Sequence, residues 1–144
     1  MDRQAFCPCG ATQLELLGEP LGQGYCHCDD CQRAHGAAYV PRAIYPRDSV
    51  RVVKGCTVSW INRVRTMVIC AECGSHLFGE HAEHPYRGVN AGNFGPGEFE
   101  PSMHLHCRFA LAPVVDNLLH YLDVPLEYGG TGTLADWQER GVSR

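Results

Sequence analysis

Short segments in which apolar and polar residues alternate run through most of this chain, and few stretches repeat at a helical period. Thr12 to Leu17 sets Thr12, Leu14 and Leu16 on one face and Gln13 and Glu15 on the other, the pattern of a half-buried strand. Gly18-Glu19-Pro20 turns the chain toward a second strand over 23–28. Ala38 to Ile44 and Val50 to Val53 are rich in β-formers, separated by Tyr45-Pro46-Arg47-Asp48-Ser49. Residues 57–61 and 64–69 predict a hairpin turning at Asn62-Arg63. Further strands are predicted at 76–78, 87–94 and 103–111, the last with His104 and His106 on one face, lining a pocket or facing solvent, opposite Leu105 and Cys107. Helical signals are few. Asp29-Asp30 before Cys31 predicts a short helical turn, and 133–141, with its Thr cap and closing Gly, a short C-terminal helix. Residues 114–121 read as a short helix or an irregular loop. The pattern as a whole is mainly β, with antiparallel sheets and short helical turns.

Composition narrows this picture. The 144 residues and 44% hydrophobic content suffice for one core, and 16 glycines with 9 prolines favour many short strands over a helical bundle. The formal charge is -4 and Lys54 is the lone lysine, so no basic stripe for nucleic acid is expected. No apolar run approaches a membrane span and no leader pattern is visible, so the expectation is a cytoplasmic protein without a membrane partner. The nine cysteines are an odd number in close C-x-C and C-x-x-C groups, which suits metal better than a disulfide framework.

Seven of those cysteines carry the chemistry. They form Cys7-x-Cys9, Cys26-x-Cys28-x-x-Cys31 and Cys70-x-x-Cys73. A structural zinc takes four protein ligands, so the two pairs make one closed site, with Cys7, Cys9, Cys70 and Cys73 around the ion. Gly10 and Gly74 each follow a second cysteine, where a positive φ closes a tight turn and a backbone N–H can face a sulfur. Such ligation contributes directly to folding, about 10–16 kcal/mol apparent in small zinc domains.

The remaining trio is one ligand short. Cys26 and Cys28 share a face of an extended segment and Cys31 swings back toward them, while His27 faces the other way and is not expected to ligate. Three thiolates on a dication make a weak Lewis acid whose fourth position suits another soft ligand, an incoming thiolate. The alternative is that Cys56, Cys107, His35, His76, His104 or His106 completes the tetrahedron and makes the site structural.

The three groups in this order, with Arg33-x-x-Gly36 after the second and Gly74-Ser75-x-Leu77-Phe78 after the third, resemble the glutathione-dependent formaldehyde-activating enzyme family, also called centromere-protein-V-like. The resemblance covers about residues 5 to 125. It implies an Mss4-like zinc fold, with a zinc domain over 1–128 and a tail over 129–144 containing a possible short helix. It also implies two zincs per chain, one structural at Cys7, Cys9, Cys70 and Cys73 and one catalytic at Cys26, Cys28 and Cys31. The implied activity is that of a carbon–sulfur lyase of the S-(hydroxymethyl)glutathione synthase type, joining a thiol (glutathione) to a small aldehyde (formaldehyde).

Two rival readings use the same residues. One is a non-catalytic, zinc-stabilised binding module; the other is zinc storage or redox sensing by the trio. Arg33, Arg42 and Arg87 are candidates for the carboxylates of a glutathione-like thiol. Cys56 reads as a bystander thiol and Cys107 as a small buried hydrophobe. Neither a proton donor nor an oligomeric state is legible.

Overall fold

A computed structural model describes residues 1–139. The strands in chain order are β1 (Arg3–Phe6), β2 (Gln13–Leu16), β3 (Gly22–Cys26), β4 (Val40–Pro46), β5 (Val50–Lys54), β6 (Thr57–Asn62), β7 (Arg65–Cys70), β8 (His76–His81), β9 (Tyr86–Asn90), β10 (Met103–Leu105) and β11 (Leu119–His120). The helices are α1 (Asp29–His35) and α2 (Asp136–Glu139), with single 3-10 turns elsewhere. No helix among the described residues is long and apolar enough to cross a membrane. The chain forms two compact units, Met1–Gln23 with Arg42–Glu100, and Gly24–Pro41 with Pro101 onward.

The first unit is antiparallel throughout. β1 pairs with β2 and β2 with β5, while β6, β7, β8, β9 and β4 pair in succession. The alternation expected around β2 holds: Thr12, Leu14 and Leu16 are fully buried, and Gln13 and Glu15 are half-buried. Leu14 and Leu16 pack with Ala43, Tyr45, Val50, Leu77, Phe78 and Val89 into one core, which also takes in Cys7 and Cys70. The β6–β7 hairpin turns where expected, with Arg63 at φ 58°.

The second unit departs from the antiparallel expectation. β10 runs parallel to both β3 and β11. Gly24 permits this: a Cβ there would lie 2.5 Å from the Met103 carbonyl oxygen, so only glycine lets the two backbones approach. The unit's apolar clusters are small, one of Cys26, Cys28, Cys31 and Val40, another of Cys107, Ala135 and Trp137. The strand expected over 103–111 stops at Leu105, because His106 takes a left-handed conformation (φ 55°) and a 3-10 turn follows. The stretch 114–121 is irregular and ends in the two-residue β11. The expected C-terminal helix is seen as α2, and the rest of its predicted span, from Arg140, lies outside the described residues.

Two cysteine centres and a buried imidazole chain

In the first unit two knuckles face each other, closed by the same pair of hydrogen bonds. The Gly10 N–H donates to the Cys7 carbonyl (3.0 Å) and the Gly74 N–H to the Cys70 carbonyl (2.9 Å). Cys7 N–H donates to the Thr12 carbonyl and Cys70 N–H to the Ser75 carbonyl. Both glycines have the positive φ expected of them, 75° and 74°. Their N–H groups, however, go to carbonyls and not to sulfur. The sulfurs are served by Thr12 N–H on Cys7 (3.3 Å), Ala11 N–H on Cys9 (3.5 Å) and the Thr12 hydroxyl on Cys70 (3.2 Å).

The four ligand atoms of Cys7, Cys9, Cys70 and Cys73 lie within 4.8 Å of one another. Cys7 Sγ is 3.5 Å from Cys9 Sγ and 3.7 Å from Cys70 Sγ, and Cys9 to Cys70 is 3.8 Å. A disulfide would need about 2 Å. A tetrahedron with metal–sulfur bonds of about 2.3 Å has edges of about 3.8 Å, so the spacing fits a four-thiolate metal centre. The Thr12 hydroxyl, with the Cys73 and Glu72 N–H groups, brings the Cys70 thiol down to about 6. Cys9 has the Ala11 N–H favouring its thiolate, yet the surrounding sulfurs push it up to about 12.

In the second unit Cys26, Cys28 and Cys31 also converge within 4.8 Å, with Cys26 Sγ 3.5 Å from Cys31 Sγ. All three are buried. Cys28 is the N-cap of α1: its sulfur accepts the Cys31 N–H at 3.2 Å. The helix, longer than the single turn expected, carries Asp29 and Asp30 in its first turn and closes on Gly36 at φ 61°. Neighbouring Cys28 and Cys31, together with burial, raise the Cys26 thiol well above its usual range. A buried trio that resists ionisation in this way suits a dication to balance its thiolates. Among the described residues no further Cys, His, Asp or Glu joins the group. Cys107 is buried by Ala135 and Trp137, its thiol pushed up to about 12 by that burial, as a small hydrophobe would be. Cys56 is exposed.

His27 does face away from the trio. Its Nε2 lies 2.8 Å from His104 Nδ1; His104 Nε2 lies 2.6 Å from Asp116 Oδ2; and His120 Nε2 lies 3.1 Å from Asp116 Oδ1. All three imidazoles are fully buried, and Tyr25 and Tyr39 pack around the His27–His104 pair in tilted and edge-on contacts. Burial lowers the His27 pKa to about 4 and also lowers that of His104, against the pull of Asp116. The Asp116 carboxyl is lowered, because hydrogen bonds from His104 and the Leu118 N–H outweigh its partial burial. The sequence left His104 and His106 together on a face that lines a pocket or meets solvent; β10 has both its faces covered, and His104, Leu105 and Met103 are all buried. The available signal was Asp116-x-x-x-His120 downstream of a histidine in a strand, which only the parallel β10–β11 pairing brings together.

The arginine candidates separate. Arg33 is exposed on α1, beside the trio in sequence. Arg87 is held by Glu80 (2.9 Å), the Val50 carbonyl (2.8 Å) and the Phe78 ring. Arg42 is buried and donates to the Gly88 carbonyl.

Residues 2–109 match the family model for glutathione-dependent formaldehyde-activating enzyme. The chain belongs to this family. It is similar to a Penicillium rubens protein named "Putative glutathione-dependent formaldehyde-activating enzyme", 29% identical over 90 residues, 58% of this chain and 47% of that protein. An Aspergillus terreus protein of the same name is 26% identical over 88 residues, 58% of this chain and 46% of its own. The matched region thus spans about half the length of these curated relatives. A crystal structure of a Rhodobacter sphaeroides protein resembles it with a TM-score of 0.53 and 26% identity, covering 65% of this chain and 89% of that one. The family, the mostly β fold and the two cysteine groups able to hold metal agree with what the motifs predict.

Proposed function

We propose that this protein is a zinc-dependent carbon–sulfur lyase that joins a small-molecule thiol, glutathione, to a small aldehyde, formaldehyde. The observation that carries the reading is the contrast in ligand number: four converging sulfurs in one unit and three in the other, with no further Cys, His, Asp or Glu joining the trio among the described residues. In this reading Cys7, Cys9, Cys70 and Cys73 hold a structural zinc, and Cys26, Cys28 and Cys31 hold the catalytic one.

When bound by the trio, the metal supplies a soft, thiolate-accepting position. The chain's own residues do the rest. Cys26, Cys28 and Cys31 fix that position, and their burial lowers the local dielectric and keeps bulk water from competing. The reaction balances without a redox partner. The thiol loses its S–H proton, its sulfur forms the C–S bond, the carbonyl π pair moves to oxygen, and a proton reaches that oxygen to give the hydroxymethyl thioether. Arg33, exposed on α1, the helix that Cys28 caps, supports a glutathione carboxylate by forked hydrogen bonding. The family membership and the names of the relatives support this substrate pair.

The test is exchange spectroscopy on glutathione and formaldehyde at equilibrium with S-hydroxymethylglutathione. The zinc-loaded protein accelerates the exchange, and Cys28→Ser abolishes the acceleration. An exchange rate equal to that of buffer, with no effect of millimolar glutathione on the metal's spectrum, overturns the proposal in favour of a zinc-stabilised binding module.

A further inference from the structure

We infer that Asp116 is a positioning residue for the three-sulfur centre, acting through His104 on His27, the residue between the two ligands Cys26 and Cys28. The inference rests on the metal-binding reading of the trio.

His27 is held at three points besides its covalent neighbours. Its N–H donates to the Leu105 carbonyl (2.9 Å), its carbonyl accepts from Gln32 Nε2 (2.7 Å), and its ring meets His104 (2.8 Å). Residue 27 is the one residue between Cys26 and Cys28, so its backbone torsions enter the distance between their sulfurs directly, alongside the cysteines' own torsions. Whatever holds residue 27 therefore helps to set the bite of the chelate.

Ring chemistry shows why a carboxylate is needed at the far end. Asp116, ionised, can only accept, so His104 must place its proton on Nε2. His104 Nδ1 is then a bare acceptor, and His27 must present Nε2–H to it. That leaves His27 Nδ1 without a proton, and this buried atom has no partner among the described residues. An unpartnered lone pair is tolerable there, whereas an N–H would be an orphaned donor. One carboxylate thus sets both tautomers and makes the chain self-consistent.

The same groups do not read as a third metal site, although the ligand atoms of His104, Asp116 and His120 fall within 4.8 Å of one another. The His104 and His120 rings are nearly parallel, 15° apart with centroids 4.5 Å apart. Their Nε2 atoms address separate oxygens of one carboxylate, at 2.6 and 3.1 Å, instead of converging on a shared point.

Asp116→Asn is the informative change. If its NH₂ group replaces the oxygen at His104, both histidines must switch tautomer and His27 Nδ1–H becomes a buried donor with no acceptor. Residue 27 is then free to shift. The readout is zinc affinity at each centre, by competition with a chromophoric chelator, together with the thiolate charge-transfer bands of the cobalt-loaded protein. Asp116→Asn is expected to weaken zinc binding at the trio by about tenfold or more and to shift its cobalt bands, with the four-sulfur centre unchanged. His104→Ala has a similar effect, and the double variant is little worse than either, as for members of one chain. Asp116→Glu, which keeps the carboxylate, restores part of the affinity, and it serves as the probe if Asp116→Asn does not fold. Asp123→Asn is the control. Asp123 ties Val124 and Thr131 in the same unit, outside the chain, and its loss lowers the melting temperature without altering affinity. Wild-type affinity and bands in Asp116→Asn, or fully additive effects with His104→Ala, overturn the inference. They leave the thiol–aldehyde reading standing, because exchange catalysis by the wild type is measured separately. A wild-type trio that takes no metal overturns both.

Discussion

Cys7 and Cys70 lie 63 positions apart, whereas Cys26, Cys28 and Cys31 fall within a span of six residues. The four-sulfur group ties the N-terminal strand to the end of β7, and two of its sulfurs sit in the main core. A metal there closes a long loop and belongs to the folding free energy. The three-sulfur group is local. A metal there closes almost no loop, and the position of its sulfurs is set by a helix cap, a buried histidine and hydrogen bonds to residue 27. Groups of similar composition thus sit differently in the chain: one joins distant segments, while the other is local and held by its surroundings, the relation that the proposed division into a structural and a reactive centre requires.

The comparison can be broken most severely at Cys70. Cys70→Ser is expected to lower the melting temperature by roughly ten degrees or more and to release zinc from the four-sulfur group, read by calorimetry and metal analysis. Cys28→Ser is the counterpart. Serine keeps an oxygen to cap α1, so the helix survives while one sulfur is lost. This variant is expected to lose one zinc of two with a melting shift of only about three degrees or less. Similar collapse in both variants would erase the distinction.

A smaller effect sharpens the contrast through pH. His104 is buried with its pKa lowered by that burial, below the ordinary value of about 6.5. A depressed histidine binds its proton more readily in the unfolded chain, so it contributes stability above about pH 6.5 that is lost as pH falls. The loss continues toward about 4, where His27 takes up its proton in the folded state. Melting temperature should therefore decline from pH 6.5 to 5, and His104→Gln should flatten part of that slope. An unchanged slope would show that His104 does not titrate with folding.

How much of this was legible in the chain differs between the two units. Around β2 the alternation of Thr12, Leu14 and Leu16 predicted the buried face, because an antiparallel strand with one covered side writes its pattern at period two. The four-sulfur knuckles were legible too, since their ligands, spacing and glycines are local features. In the second unit the parallel β10 is covered on both faces, so His104 carries no alternation signal that separates a buried place from a solvent-facing one. The partnership of His27 with His104 spans 77 positions and that of His104 with Asp116 spans 12. Spacing in one sequence cannot reveal either. The turn argument let the N–H groups of Gly10 and Gly74 face sulfur, but the knuckles close on their own carbonyls and leave sulfur to Thr12, Ala11 and the N–H groups of Glu72 and Cys73.

The account depends on the trio having a coordination position that an outside thiol can take. Cadmium-113 NMR of the cadmium-loaded protein reads this directly, because each sulfur bound to the ion moves its resonance downfield. Two resonances are expected, one at the four-thiolate position and one upfield of it, with glutathione shifting only the second, toward the first. Two four-thiolate resonances that ignore glutathione, or a single resonance under reducing, metal-replete conditions, would contradict it.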